Sequence, residues 1–240
     1  MRERIWIIGG SSGIGADLAR AYAARGAEVI VSARGIGPLE AIAREINGRA
    51  LPCDVGDRDS LKAACDVIAQ TGPLDRIVHL AALYDPGLIR DLDPARAAQL
   101  VQVNLMGAFH IAQLTPALLR AGGQLAICGS VAGYIGLPKG QIYSATKAGV
   151  ISIVESLRAE TPDRDIRLIS PGFVDTPMTA MNDFKMPAVM TPKAAAAAIL
   201  RGLDGRGFEV HFPRRFTLVL KLLRLLPYRI SLALTARLTQ

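Results

Sequence analysis

Residues 5–15 read Ile5-Trp6-Ile7-Ile8-Gly9-Gly10-Ser11-Ser12-Gly13-Ile14-Gly15, an apolar run that leads directly into a glycine-rich segment. The apolar run predicts a short buried strand, and the residues after it follow a helical pattern. Glycines at this junction allow a tight turn and let a pyrophosphate approach the backbone, with the next helix N-terminus facing the phosphates. The stretch therefore favours a dinucleotide-binding strand–loop–helix unit, although a plain turn between strand and helix also fits it.

The same alternation continues along the chain. The predicted strands cover residues 5–8, 28–32, 49–53, 76–80, 124–128, 167–169 and 207–212. The predicted helices lie near residues 14–25, 37–46, 58–70, 94–120, 142–160 and 191–203. Strands that are apolar on both faces and alternate with helices indicate an α/β fold, a single Rossmann-type doubly wound parallel sheet with helices on both faces. We expect a dinucleotide-binding and catalytic domain over 1–212 and a helical C-terminal extension over 213–240.

The composition supports one domain without metal or disulfides. Half of the 240 residues are hydrophobic, enough for a buried core. The three cysteines and three histidines are scattered, so we expect reduced thiols and no metal site. No signal peptide or spanning apolar stretch is evident, and we expect a cytoplasmic protein.

The net charge of +7 is concentrated in the predicted extension. Residues 213–240 contain no Asp or Glu, and the rest of the chain holds 22 basic and 21 acidic residues. No basic stripe with interleaved aromatics crosses the body, so nucleic acid is not an expected partner. The six basic residues of the extension are Arg214, Arg215, Lys221, Arg224, Arg229 and Arg237.

The extension also combines a broad apolar face with a narrow polar stripe at helical spacing, and Pro227 divides it into two segments. Three interpretations remain open. The extension covers its own body or a subunit partner as a helical hairpin, it makes peripheral contact with a membrane, or it docks an acidic partner such as an acyl carrier protein.

The residues that carry the chemistry are Tyr143 and Lys147, with Ser130 thirteen positions upstream. Positions i and i+4 share one helix face. A phenol keeps its proton until about pH 10, and a nearby cation favours the phenolate, which makes the proton available closer to neutral pH. The pair suits proton transfer to or from a carbonyl or alcohol oxygen, but alone it also fits a solvated surface pair.

The residues after the second and third strands bear on the cofactor. The second strand ends at Ala33 and Arg34, without the acidic residue that would bind the ribose hydroxyls of NAD. A guanidinium suits a 2′-phosphate, so NADP(H) is favoured and NAD(H) remains possible; Arg34 is alternatively an ordinary exposed loop residue. Asp54, followed by Val55, either places its carboxylate near the adenine amine or caps a turn.

Together these motifs resemble the classical type of the short-chain dehydrogenase/reductase family, over about residues 4–212. The resemblance implies that Tyr143 is the general acid/base and that Lys147 lowers the pKa of Tyr143 and holds the nicotinamide ribose. It also implies that Ser130 binds the substrate carbonyl and that Asn104 holds a water linking Lys147 to solvent. The implied cofactor-binding residues are Gly9, Ser11, Ser12, Gly13, Ile14, Gly15, Arg34, Asp54, Val55, Ala81, Tyr143, Lys147, Pro171, Gly172, Val174 and Thr176.

The chain departs from the family pattern at two places. Ile8 stands where the family usually has Thr, and His79-Leu80-Ala81-Ala82 replaces Asn-Asn-Ala-Gly. His79 either substitutes for the missing Asn as a hydrogen-bonding group or is a satisfied core histidine. Ala81 remains small enough to let a cofactor pass.

The expected function is hydride transfer between NADP(H) and a carbonyl or secondary alcohol. The segment 178–190 is rich in Met and other apolar residues, which predicts an adaptable pocket for a small apolar substrate, or a lid packed on the body. The alternative function is a catalytically silent nucleotide-sensing or interaction protein on the same fold. The resemblance implies a homo-oligomer, either a dimer or a tetramer.

Overall fold

A computed structural model of the protein describes residues 2–236; Met1 and residues 237–240, among them Arg237, lie outside the described residues. The described strands are β1 (Arg4–Ile8), β2 (Glu28–Ser32), β3 (Arg49–Ala50), β4 (Leu74–His79), β5 (Leu119–Cys128), β6 (Asp165–Pro171) and β7 (Glu209–Phe212). The described α-helices are α1 (Gly13–Ala24), α2 (Ile36–Glu45), α3 (Arg58–Ala69), α4 (Pro94–Leu100), α5 (Gly107–Leu114), α6 (Gln141–Glu160), α7 (Pro192–Asp204), α8 (Arg214–Leu225) and α9 (Tyr228–Thr235).

The strands form one sheet in the order β3-β2-β1-β4-β5-β6-β7, and every pair is parallel. The order reverses between β1 and β4, the switch point at which doubly wound sheets bind ligands. Residues alternate between the two faces of a strand, and β1 is buried on both. Ile5 and Ile7 join one apolar core, whereas Trp6 and Ile8 join the other. The predicted fold class is confirmed.

The predicted helix over 94–120 is the largest error of the sequence analysis. α4 ends at Leu100, a π-helical segment covers Val101–Met106, and α5 ends at Leu114. β5 already begins at Leu119, which pairs with Leu74 five residues before the predicted strand start. The polar and glycine-rich residues that follow Leu119 carry no strand-like pattern, so periodicity could not predict this early pairing. β3 is also shorter than predicted and ends at Ala50.

The extension forms the two helices α8 and α9. The inner side of α8 buries Leu220 and Leu223 in a small cluster with Val131 and Tyr134. Polar contacts hold the same side, because Lys221 and the Tyr134 hydroxyl both bond to the carboxylate of Glu209 at the start of β7. One side of α8 is therefore fixed to the body. None of the helices within residues 2–236 is long and apolar enough to cross a membrane.

Candidate active site

The glycine-rich loop between β1 and α1 makes a close turn against β2. The amides of Gly9 and Gly10 donate to the carbonyl of Ser32, at 2.7 and 3.1 Å. Gly9 has a positive φ of 90°, and a Cβ on Gly15 would lie 2.0 Å from the Gly9 carbonyl oxygen. Only glycine fits this approach of loop to helix. The loop therefore keeps its backbone open to the cleft in front of it.

That cleft has a volume of about 390 Å³ and lies at the carboxyl ends of the strands. All of the residues expected to bind a cofactor line it, and Ser130 lines it as well. A glycine-rich loop at the switch point of the sheet, followed by the N-terminus of α1, fits the pyrophosphate of a dinucleotide. Exposed Arg34 follows the end of β2 and lines the cleft. The guanidinium of Arg34 is a donor that fits a 2′-phosphate.

Asp54 lines the cleft and also shapes a turn. Its Oδ1 accepts a hydrogen bond from the Gly56 amide at 2.9 Å, and its own amide donates to Ser60 Oγ at 3.0 Å. The N-cap of α3 is Asp57, whose carboxylate accepts from two amides of the first turn. Asp54 thus shapes a turn, which is one of the two roles expected from the sequence. Because Asp54 also lines the cleft, the other role, a contact with the adenine amine, stays open.

Tyr143 and Lys147 lie on the inner face of α6, and Lys147 is only 2% exposed. The Lys147 ammonium donates to the carbonyl of Cys128 at 2.8 Å and lies 5.7 Å from the centre of the Tyr143 ring. Ser130, at the end of the loop after β5, accepts a hydrogen bond from the Ala132 amide at 3.1 Å. The pair is therefore not a solvated surface pair, since both side chains are turned into the cleft.

The expected lowering of the Tyr143 pKa is not what this structure gives. Burial raises the pKa of Tyr143 above its ordinary value, the neighbouring Cys128 adds to the increase, and the Ser130 hydroxyl acts in the opposite direction. Burial also lowers the pKa of Lys147. The prediction considered only the charge of Lys147, whereas the loss of solvent around both groups dominates here.

Asn104 lies in the π-helical segment and is buried. Its Oδ1 accepts from the Leu83 amide at 2.7 Å, its Nδ2 donates to the Leu83 carbonyl at 2.8 Å, and Nδ2 also approaches Thr146 Oγ1 at 3.3 Å. The side chain thus clamps the chain that leaves β4 along the cleft, a contact that sequence reasoning did not predict. The expected water link to Lys147 stays a prediction.

His79, at the end of β4, is a core histidine, but it is not a satisfied one. Its Nδ1 is buried without a hydrogen-bond partner. Burial, together with the charge of Lys147, lowers the pKa of His79 to about 3, so the ring is neutral at physiological pH. Of the two alternatives, the structure supports the core position of His79 but not a satisfied Nδ1.

A second, smaller cavity of about 80 Å³ adjoins the cleft. Its wall includes Met178, Phe184 and Pro187 from the predicted segment 178–190. Met181 and Val189 of that segment are exposed instead. The segment therefore supplies only part of the wall, because its remaining apolar side chains face solvent or pack on the body.

Sequence reasoning missed three aromatic residues of this cavity, Tyr84, Phe173 and Phe216. The Tyr84 ring meets the Tyr143 ring edge to face, with centroids 4.8 Å apart, and its hydroxyl donates to Asn182 Oδ1 at 2.7 Å. Phe216 comes from α8 and lies 5.9 Å from the Phe173 ring. Tyr84 follows a strand that ends at the switch point, a signal that could have identified it; nothing in the sequence pointed to Phe216.

The two cavities meet at the hydroxyl-bearing residues. Ser130 and Tyr143 line both the large cleft and the apolar pocket. A molecule bound in the pocket would therefore lie next to the Ser130 and Tyr143 hydroxyls. A ligand bound in the cleft could reach the same two hydroxyls. This arrangement can bring a proton donor and two bound reactants together.

Comparison with known proteins agrees with this geometry. The chain is 31% identical to an uncharacterized oxidoreductase of Mycobacterium tuberculosis, with 96% of each chain covered. It is 29% identical to the 3-oxoacyl-acyl-carrier-protein reductase MabA of Mycobacterium bovis, over 75% of this chain and 72% of that protein. An alcohol dehydrogenase from the archaeon Thermococcus sibiricus, solved with 5-hydroxy-NADP, superposes with a TM-score of 0.81 at 26% identity, over 88% of this chain and 96% of the other.

The profile of the family described as short chain dehydrogenase matches residues 3–186. That range contains the glycine-rich loop, the whole Ser130–Tyr143–Lys147 group and part of the segment 178–190. Since the match spans most of the chain, the protein belongs to the short-chain dehydrogenase family of NAD(P)-dependent oxidoreductases.

Proposed function

We propose that this protein is an NADPH-dependent carbonyl reductase, or the reverse alcohol dehydrogenase, that acts on a small apolar substrate. The observation that carries the proposal is the position of Ser130 and Tyr143, which line both the nucleotide cleft and the apolar pocket. A carbonyl oxygen beside these hydroxyls would have a hydrogen-bond donor on each side. A site of this kind stabilises the charge that develops on the oxygen.

The residues that would hold the cofactor are those that line the cleft. The open backbone at Gly9 and Gly13 would accept the pyrophosphate, and Arg34 would bind the 2′-phosphate. Support for NADP(H) also comes from the solved relative that contains 5-hydroxy-NADP. When bound, the nicotinamide supplies the hydride that reduces the carbonyl carbon.

The chain's own groups move and hold the proton. Tyr143 would donate its phenolic proton to the substrate oxygen, and Ser130 would donate a second hydrogen bond to that oxygen. Burial keeps Tyr143 protonated, which suits the reductive direction. Lys147 would hold the nicotinamide ribose and attract the phenolate that forms after the transfer. Asn104 would keep a water next to Lys147 for proton resupply, while its side chain fixes Leu83 at the cleft wall.

The pocket supports an apolar substrate. Its wall combines Tyr84, Phe173 and Phe184 with Met178, whose flexible thioether adapts to different shapes. Burial raises the pKa of Tyr84 to about 12, so the ring next to Tyr143 stays uncharged. An apolar ketone, quinone or acyl thioester would leave water favourably here, whereas a charged substrate would meet no charged side chain among the residues that line this pocket.

The test is a carbonyl panel measured with and without turnover. NADPH oxidation is followed with steroids, acyl thioesters, quinones and simple ketones, and NADPH binding is measured separately by fluorescence. We expect turnover of at least one apolar carbonyl. Tight NADPH binding without turnover of any panel member would instead favour the catalytically silent nucleotide-sensing or interaction protein, although the complete Ser130, Tyr143 and Lys147 group gives such a protein no evident advantage.

The wider setting of the enzyme is also a proposal. We infer a cytoplasmic homo-oligomer, a dimer or a tetramer, in which residues 1–212 form the dinucleotide-binding and catalytic domain. Residues 213–240 are a basic C-terminal extension, whose described part forms α8 and α9.

A further inference from the structure

The side of the extension that faces away from the body is strongly apolar. Of the fourteen large hydrophobic side chains that are exposed in the described residues, eight lie on α8 and α9. Leu225 and Tyr228, at the junction of the two helices, are each 81% exposed. Single exposed apolar residues are ordinary, but a cluster of this size marks a contact site. This outer face consists of Leu218, Val219, Leu222, Leu225, Tyr228, Ile230, Leu232 and Leu234.

The body of the enzyme does not cover the outer face. The inner side of α8 is already occupied, with Leu220 and Leu223 buried and Lys221 bonded to Glu209. Thr217 adds a hydrogen bond with His211 at 2.6 Å. These contacts fix the orientation of α8, so the outer face is held away from the protein rather than free to fold back onto it.

The charges around the outer face have one sign. Arg214, Arg215, Arg224 and Arg229 are exposed, and residues 213–240 include no Asp or Glu. Arg224 also donates to the Tyr134 carbonyl, which leaves its charge unneutralised. The occupant of this surface must therefore offer both an apolar layer and negative charge.

A second copy of the chain meets only half of this requirement. In a twofold-symmetric contact the same patch faces itself, so the arginines of one copy would lie near those of the other, without acidic residues in the patch to separate them. An acidic protein would complement the arginines but would need a matching apolar groove. A bilayer with anionic headgroups offers both features in the right order, with headgroup charge above an acyl layer.

We propose that the α8–α9 hairpin docks on the surface of a bilayer rich in anionic headgroups. The outer face enters the boundary between headgroups and acyl chains, and the exposed Arg214, Arg215 and Arg229 contact the headgroup phosphates. The hairpin lies on the membrane, since neither helix is long and apolar enough to span it. If the proposed carbonyl reductase activity holds, docking has a further use, because Phe216 on α8 lines the pocket and so joins the apolar pocket to the docked helix.

The test is flotation of the full-length enzyme with vesicles. Vesicles of phosphatidylglycerol and phosphatidylcholine are compared with vesicles of phosphatidylcholine alone, at low and high salt. We expect flotation with the anionic vesicles, and we expect it to weaken at high salt because headgroup attraction is screened. Equal flotation with both lipids, or none with the anionic vesicles at low salt, would overturn the proposal.

Two double variants separate the apolar and the basic contributions. Leu222→Ser with Leu225→Ser should lower the vesicle partition coefficient about 100-fold. Arg214→Gln with Arg215→Gln should lower it about 10- to 30-fold. The control for the leucine variant is Ile89→Ser with Phe109→Ser, which removes two exposed apolar side chains elsewhere. The control for the arginine variant is Arg201→Gln with Arg206→Gln, which removes two exposed basic side chains elsewhere. Loss of flotation in these controls to the same degree would contradict a role for the outer face.

Turnover of a water-soluble carbonyl serves as an independent readout. We expect the leucine and arginine double variants to keep the wild-type rate and melting temperature. A retained melting temperature would show that they fold. Normal turnover without flotation would reject the docking surface and leave the proposed function intact. Flotation without turnover would support the docking surface and count against the proposed function. A concentration-dependent dimer that dissociates in the Leu222→Ser, Leu225→Ser variant, without vesicle binding by the wild type, would assign the face to a second copy.

Discussion

The nucleotide cleft and the apolar pocket share Ser130 and Tyr143 but are built in opposite ways. The cleft is made from backbone turns at the carboxyl ends of neighbouring strands, and each turn is a short motif such as the loop from Gly9 to Gly15. The pocket is made from side chains that are distant in sequence, from Tyr84 to Phe216. The comparison shows that the reaction chemistry is encoded locally, whereas substrate preference depends on how remote segments pack.

The largest expected effect comes from Tyr143→Phe, at the boundary of the two regions. Carbonyl reduction should fall by about 10²–10⁴-fold, because the substrate oxygen loses its proton donor. The NADPH dissociation constant should change little, since the cleft wall keeps its shape. Steady-state kinetics on a panel substrate and fluorescence titration of NADPH measure the two quantities.

Tyr84→Phe is the matched control for this variant. It removes a hydroxyl from the ring beside Tyr143 and breaks the hydrogen bond to Asn182, but it leaves the phenol of Tyr143 in place. A much smaller loss of turnover is expected. If both variants lost activity equally, proton donation could not be assigned to Tyr143.

The second prediction concerns the cleft alone. Arg34→Asp should weaken NADPH binding about 10- to 100-fold, because a charge-assisted hydrogen bond is replaced by a repulsive carboxylate. NADH binding should be unchanged or stronger, since a carboxylate at this strand end can accept from ribose hydroxyls. Calorimetry with both nucleotides provides the measurement. Arg44→Asp, on the exposed side of α2, is the control, and an unaltered preference in Arg34→Asp would place 2′-phosphate binding elsewhere.

The third prediction concerns the pocket alone. Phe216→Ala should raise the KM of an apolar carbonyl about tenfold, because one aromatic side chain of the pocket wall is removed. NADPH affinity should stay the same, which distinguishes the pocket from the cleft. Leu218→Ala, two residues further along α8 and exposed, is the matched control. Equal changes in KM for the two variants would mean that α8 does not contribute to substrate binding.

The smallest expected effect is spectroscopic. Burial raises the pKa of Tyr143, so its phenol should remain neutral through the physiological range and should not ionise below about pH 10. The difference in absorbance at the tyrosinate band between the wild type and Tyr143→Phe, without nucleotide, measures this. A Tyr143 ionisation near neutral pH would show that Lys147 outweighs desolvation. Repeating the titration with NADP(H) tests whether the cofactor shifts the balance.

Much of the cleft could be predicted from the sequence because its parts are local. The run Ile5–Ile8 followed by glycines predicted β1 and its turn, and the predicted bounds of β2, 28–32, agree with the structure. Every residue expected to bind cofactor lines the cleft. The roles of these residues remain predictions, since position alone does not measure binding or catalysis.

The remaining features depend on tertiary contacts that no local pattern reports. Phe216 reaches the pocket only because Leu220 and Leu223 bring α8 against the loop after β5. The pKa of Tyr143 depends on how much water the fold excludes, which the spacing of Tyr143 and Lys147 does not reveal. β5 begins early because Leu119 pairs with Leu74, a contact between distant residues in a stretch without strand character.

The π-helical segment Val101–Met106 makes the site sensitive to chain length as well as to residue identity. A π-turn accommodates about one more residue than an α-turn, and each residue of an α-helix advances the chain by about 100°. Deleting one residue here would allow a continuous α-helix to form from α4 to α5, and the two flanking faces would rotate relative to each other. Asn104 could then no longer reach both backbone groups of Leu83 while α5 kept its packing. An alignment gap at this segment would therefore report a change in the cleft wall even where every named side chain is retained.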